Sequence, residues 1–151
     1  MIMRKEFRIR LVALLSLLVI SVSVFADNDK PISFNELPMA AQQIINNNFK
    51  GKKIALTTVE TGLLDKGYDV VFADGAKLEF DKKGHWTNID CGKSPVPAAL
   101  IPAKIASYVK DTYSGQSIIK IDKDNKEYEI ELSNGLEITF NKNFKVVDID
   151  N

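Results

Sequence analysis

Residues 67–90, GYDVVFADGAKLEFDKKGHWTNID, are written a second time as residues 127–150, EYEIELSNGLEITFNKNFKVVDID. Tyr68 answers to Tyr128, Asp74-Gly75 to Asn134-Gly135, Phe80 to Phe140 and Ile89-Asp90 to Ile149-Asp150, all at one offset. A fixed internal period marks a repeated supersecondary unit and limits the chain to architectures that can be built from two such units.

Inside each copy, parity sets the turns. Tyr68, Val70 and Phe72 alternate with Asp69, Val71 and Ala73, and Tyr128, Ile130 and Leu132 alternate with Glu129 and Glu131. That period of two is a half-buried strand. Leu78 and Phe80, or Leu136, Ile138 and Phe140, belong on the same buried face. A one-residue slip turns every side chain over, so the connecting turn must hold an odd number of residues. Three fit, Ala73-Asp74-Gly75 and Ser133-Asn134-Gly135, ending in the left-handed position that glycine adopts most easily. The same parity predicts four-residue loops at 81–84 and 141–144. Phe80 then faces His85, Phe140 faces Lys145, and Ile89 and Ile149 lie further along the buried face. On the opposite face these turns align Glu131, Glu137 and Asp148 across three strands, where the first copy reads Val71, Lys77 and Asn88. Lys120 on the adjoining strand is placed to relieve Glu129.

Ahead of each set of strands stands a helix. Leu37-Pro38 opens the first, where the missing proline N–H costs nothing, and Leu37, Ala41, Ile44, Ile45 and Phe49 recur at helical spacing. Ile101-Pro102 opens the second, with Ile105, Tyr108, Val109 and Tyr113 as its stripe. Gly51 and Gly115 stop them. Strands follow at 54–60 and 118–123, so each copy reads as one helix and four antiparallel strands. About four extra residues fall between the first two strands of the first copy, around 61–66. Residues 91–97, with one Gly and two Pro, form the linker. The expected organisation is a signal segment at 1–26, a first unit at 27–92, and a linker and second unit at 93–151, the two units sharing one core.

Arg4, Lys5, Arg8 and Arg10 precede an apolar run over 11–24 and the small-residue site Val24-Phe25-Ala26, the layout of a secretory signal peptide cleaved after Ala26. Removing it takes four of the 20 basic residues and one of the 20 acids, leaving 16 lysines, 19 carboxylates and no arginine. Net negative charge and the absence of Arg both disfavour nucleic acid as a partner. The expected location is the periplasm or the cell exterior, with no membrane attachment after cleavage. Cys91 is the single cysteine, so no intramolecular disulfide can form and stability rests on apolar burial.

The apolar-Pro helix openings, Tyr-x-Val/Ile, x-Asp/Asn-Gly, Phe-Asp/Asn-Lys and the closing Ile-Asp together resemble the secreted PepSY-like, beta-lactamase-inhibitor-like family. The resemblance covers nearly all of the mature chain. It implies an α+β fold in which two tandem helix-plus-four-strand repeats form one curved sheet, both helices on one face and the other face open. It also implies an association with peptidase inhibition. The authentic beta-lactamase inhibitor protein works through extended hairpin loops and contains disulfides, whereas the turns here are short.

No residue pattern supports catalysis. His85 and Trp86, each the sole residue of its type, are strand neighbours and point to opposite faces. Cys91 lacks a paired base on another element, and no second Cys or His completes a zinc site. Asp122-Lys123-Asp124-Asn125 lacks the Gly and closing Glu of a calcium loop and reads as a polar turn. The expectation is a non-catalytic chain without cofactor or structural metal, binding a protein or peptide partner of the cell envelope. Its candidate partner-binding face comprises Val71, Lys77, Trp86, Glu129, Glu131, Glu137 and Asp148. The alternatives are a structural protein of the envelope, or cation binding through the acidic row.

Overall fold

A computed structural model of the chain describes residues 29–62 and 65–151. The expected signal segment therefore lies outside the described residues. The elements run β1 (Asp29–Pro31), α1 (Met39–Asn48), β2 (Ile54–Thr61), β3 (Lys66–Phe72), β4 (Lys77–Phe80), β5 (Trp86–Asp90), α2 (Ala103–Thr112), β6 (Ile118–Lys123), β7 (Glu127–Leu132), β8 (Glu137–Asn141) and β9 (Val146–Asp150). All nine strands form one antiparallel sheet in chain order, β1 to β9. The fold is α+β, with a helix and then four strands in each half, and β1 as an edge strand that the sequence pattern did not disclose.

Pro38 and Pro102 sit at the N-caps, one residue before the helices proper, and Phe49 and Tyr113 at the C-caps. The predicted stripe faces the sheet: Leu37, Ala41, Ile45 and Phe49 are buried, as are Ile105 and Val109. Phe49 stacks on Phe72 at 5.4 Å, and Tyr108 meets Phe140 edge-on at 5.4 Å. Both ring partners belong to one side of the sheet, so both helices pack on that side. Through its middle runs an unbroken row of cross-strand partners, Val70, Leu78, Ile89, Ile121, Ile130 and Ile138, each 0–1% exposed. The halves meet at β5 and β6, where Asn88 pairs with Asp122, Ile89 with Ile121 and Asp90 with Lys120.

The three-residue turns form as parity requires. Tyr68 pairs with Phe80 and Glu131 with Glu137, Gly75 and Gly135 have φ of 92° and 89°, and Asp74 and Asn134 accept hydrogen bonds from the amides of Ala76 and Leu136. The next connections differ from expectation. Asp81 and His85 close the turn between β4 and β5 through an amide-to-carbonyl bond of 2.8 Å, and Asn141 and Lys145 do so at 2.9 Å. Only three residues remain in each loop, so Phe80 faces Trp86 and Phe140 faces Val146, not His85 and Lys145. Parity is restored inside the strand by a bulge. Thr87 and Val147 are the extra residues, after which Glu79 pairs with Asn88 and Thr139 with Asp148. A bulge adds one residue to one strand without moving its partner, and a strictly alternating pattern cannot represent it.

Candidate functional site

The side of the sheet away from the helices carries two polar rows. One runs Val71, Lys77, Asp90, Lys120, Glu131, Glu137, Asp150 from β3 to β9. The other runs Asp69, Glu79, Asn88, Asp122, Glu129, Thr139, Asp148 over the same strands. Of the expected site residues, Val71, Lys77, Glu131 and Glu137 fall in the first row, and Glu129 and Asp148 in the second. The bulge corrects two pairings. Glu137 stands opposite Asp150 rather than Asp148, and Lys77 opposite Asp90 rather than Asn88. Lys120 pairs with Glu131, while Glu129 faces Asp122.

Trp86 does not belong to this surface. The shortened turn places it opposite Phe80, on the helix side, where it is 8% exposed within the core cluster. Lys123 lies over its ring, Nζ 3.9 Å from the centroid, an arrangement in which the ammonium is held by the negative face of the indole. His85 is largely exposed and sits 3.3 Å from Asp81 through Nδ1. Cys91 is buried among apolar neighbours. Burial, helped by Asp90 and Asp74, pushes its thiol pKa up against the opposing charge of Lys52, the reverse of what a nucleophile needs.

The two halves of the polar face differ in how their charge is met. Lys77 reaches both Glu79 at 2.7 Å and Asp69 at 3.1 Å. Burial alone would lower its pKa, but those two carboxylates outweigh it and hold Lys77 above its ordinary value. At the centre Lys120 lies 3.7 Å from Asp122, which also accepts a hydrogen bond from the Asn88 amide. Burial raises the Asp122 carboxyl above the usual range despite both partners, with Glu79 and Asp90 adding to the rise. Burial likewise raises Asp69. Over β7 to β9 the rows contain no lysine, and Glu129, Glu131, Glu137, Asp148 and Asp150 share one surface. Glu131 is raised by burial and by Glu137, with Lys120 opposing. Directly opposed like charges destabilise a sheet, and Glu131 and Glu137, then Glu137 and Asp150, stand so opposed.

Sequence reasoning missed Asp122, because the pairing of β5 with β6 that joins the rows across the halves has no turn to reveal it. It missed Asp90 because the Thr87 bulge sets that residue opposite Lys77. Asp69 and Glu79, opposed across the turn after β3 as its length requires, were not singled out. Among the described residues no group of three or more His, Cys, Asp or Glu is arranged to hold a metal ion. Asp124, in the supposed calcium-like stretch, accepts hydrogen bonds from the amides of Lys126 and Glu127 and forms a polar turn. Among the described residues no helix is long and apolar enough to cross a membrane.

The described residues form an open antiparallel sheet with two helices on one side and a charged surface on the other, an α+β scaffold. Residues 66–148 match the family described as "Putative beta-lactamase-inhibitor-like, PepSY-like", and the chain belongs to that family. A putative periplasmic protein of the DUF2874 family from Bacteroides vulgatus is 49% identical, with a TM-score of 0.81 over 83% of this chain and 99% of its own. A putative calcium-regulated periplasmic protein from Bacteroides thetaiotaomicron is 46% identical, with a TM-score of 0.81 and the same coverage. A third, a putative periplasmic protein of unknown function from Bacteroides vulgatus, is 38% identical with a TM-score of 0.76 over 82% of this chain and 99% of its own. No curated protein matches the chain.

Proposed function

We propose that this chain is an exported, non-catalytic binding protein of the periplasm that holds a basic segment of a protein or peptide partner on the β7–β9 part of its open sheet face. Export is supported by the basic and apolar residues of 1–26 and by the periplasmic description of its relatives. The observation that carries the reading is the Glu131–Glu137–Asp150 row, three acids abreast on neighbouring strands. The family likeness makes a peptidase the first partner to try, with modulation of its activity as the readout. A second reading, calcium held by the same acids, is favoured by the calcium-regulated relative.

Glu137→Gln separates these readings. Removing one of two opposed carboxylates stabilises the free protein by about 0.2–1 kcal/mol and weakens binding of a lysine-rich peptide measured by calorimetry. Calcium that raises the melting temperature of the natural chain, but not of the variant, selects the second reading. A variant no more stable than its parent, with neither peptide nor calcium moving either melting temperature, removes both.

A further inference from the structure

The two edges of the sheet are finished differently. At one, β1 covers only three residues of β2 and contains Lys30 and Pro31. Proline has no N–H to donate, and an edge lysine resists a further strand, so this edge is blunted against pairing. At the other, β9 runs Val146-Val147-Asp148-Ile149-Asp150, pairs with β8 alone among the described residues, and carries neither proline nor lysine. It also interrupts the apolar row. Val70, Leu78, Ile89, Ile121, Ile130 and Ile138 are each closed off by a neighbour on either side, whereas Ile149, the next member, is 46% exposed. Beside Met39, it is the large apolar side chain most exposed among the described residues.

We infer that β9 is a strand-addition site, and that its occupant is an extended, antiparallel segment of a partner protein in which basic and apolar residues alternate. The alternation follows from the edge itself. Directly opposed residues of an antiparallel pair share a face. An incoming residue opposite Ile149 therefore lies on the helix side and must be apolar to extend the buried row. Its two neighbours lie on the open face, opposite Asp148 and Asp150, where a lysine or arginine meets an acid. Asp148 and Asp150 already have interactions within the chain, so the added cations extend the charge alternation seen at Lys77, Asp90, Lys120 and Glu131 rather than rescue a lone acid. A second copy of this chain fits the edge poorly. Pairing β9 with itself so that Ile149 faces Val147 sets Asp148 against Asp148. In strand addition the main chain supplies affinity and alternate side chains supply specificity. This inference rests on the proposed basic partner but fixes its conformation and its residue order.

The test uses the peptide Thr-Lys-Val-Lys-Val-Lys-Thr and the same peptide N-methylated at every residue, which keeps charge and side chains but cannot donate a backbone hydrogen bond. Calorimetry should show at least tenfold weaker binding of the methylated peptide, and of the plain peptide to Ile149→Lys. Hydrogen exchange should show amides 146–150 gaining protection when the plain peptide binds. Equal binding of the two peptides, with no protection in β9, overturns strand addition. If Glu137→Gln then weakens both peptides, the open-face reading still stands. Failure of both peptides to bind the natural chain overturns the two together.

Discussion

Gly84 and Phe144 hold the same position in the turns after β4 and β8, and both have left-handed backbones, with φ of 82° and 60°. Glycine takes that conformation freely, and a bulky residue rarely does. The contrast has a packing cause. A Cβ on Gly84 would lie 2.8 Å from the Cβ of Pro38 and 2.9 Å from the amide nitrogen of Ala41, so the turn rests directly on the start of α1. In the second half Phe144 stacks on Tyr128, rings 5.4 Å apart, with Lys104 of α2 5.9 Å from its centroid. An aromatic ring there occupies the space that bare backbone contact closes in the first half.

Gly84→Ala therefore combines a strained φ with a collision against backbone. We expect a loss of about 2 kcal/mol or more, measured by urea unfolding, since alanine at positive φ already costs more than the usual glycine effect. Gly75 has the same sign of φ but nothing within 4 Å of a Cβ. Gly75→Ala should cost only the backbone part, about 1 kcal/mol. Equal losses at the two sites would mean that the turn does not bear on α1.

Phe80 and Phe140 are 2% and 0% exposed at corresponding positions of the sheet's helix side. Truncation to alanine should cost about 3–5 kcal/mol at either. Trp86, placed in the same layer, should behave like them: Trp86→Ala lowers stability by a similar amount and leaves affinity for a basic peptide unchanged. A selective loss of binding in that variant would return Trp86 to the partner surface.

Acidification should affect the open face in an unusual direction. Asp69, Asp122 and Glu131 have folded-state carboxyls raised above their ordinary values, chiefly by burial. Between the ordinary carboxylate range and the raised one, the folded chain binds more protons than the unfolded chain. Stability from these groups is complete below their unfolded pKa and is lost as pH rises through the folded pKa. Asp81, lowered by hydrogen bonds from the His85 and Lys83 amides against a burial effect, works in the opposite sense and loses its contribution as pH falls. In Asp122→Asn the first effect shrinks. Its melting temperature should gain less than that of the natural chain between neutral and mildly acidic pH, and an unchanged pH profile would contradict the raised carboxyl.

What the sequence disclosed, and what it hid, follows from which interactions are local. The helices and the turns after β3 and β7 were legible because stripes, Asp/Asn-Gly pairs and strict alternation all lie within a few residues. Glu131 opposite Glu137 followed from turn length alone. The position of Trp86 was misread because a shorter loop and the Thr87 bulge compensate each other, leaving Ile89 inward while reversing Trp86. The available signal was Asp81, matched by Asn141. Each caps its turn by accepting from the amides two and four residues on, the habit of Asp and Asn at turn starts. Asp122 could not be set against Asn88 from the sequence because no short loop fixes β5 against β6.

That same β5–β6 seam decides whether the halves can stand apart. Each half spans only about sixty residues, a size at which the buried fraction of surface leaves a domain marginal. Here the seam is the middle of the core rather than its rim. Ile89 and Ile121 face each other at 0% exposure, and the linker is pinned beside them by bonds from the Cys91 amide to the Ile119 carbonyl and from the Val96 amide to the Ile118 carbonyl. Splitting the sheet would expose both isoleucines and strip β5 and β6 of their mutual hydrogen bonds. We expect one cooperative transition, with the fluorescence of Trp86 in the first half and far-ultraviolet circular dichroism of the whole chain coinciding in urea. Ile89→Ala should lower the midpoint of that single transition, at a cost of about 2–5 kcal/mol, rather than divide it. Two separated transitions, or a stably folded fragment of residues 93–151, would show that the halves are independent and that the seam is only an interface.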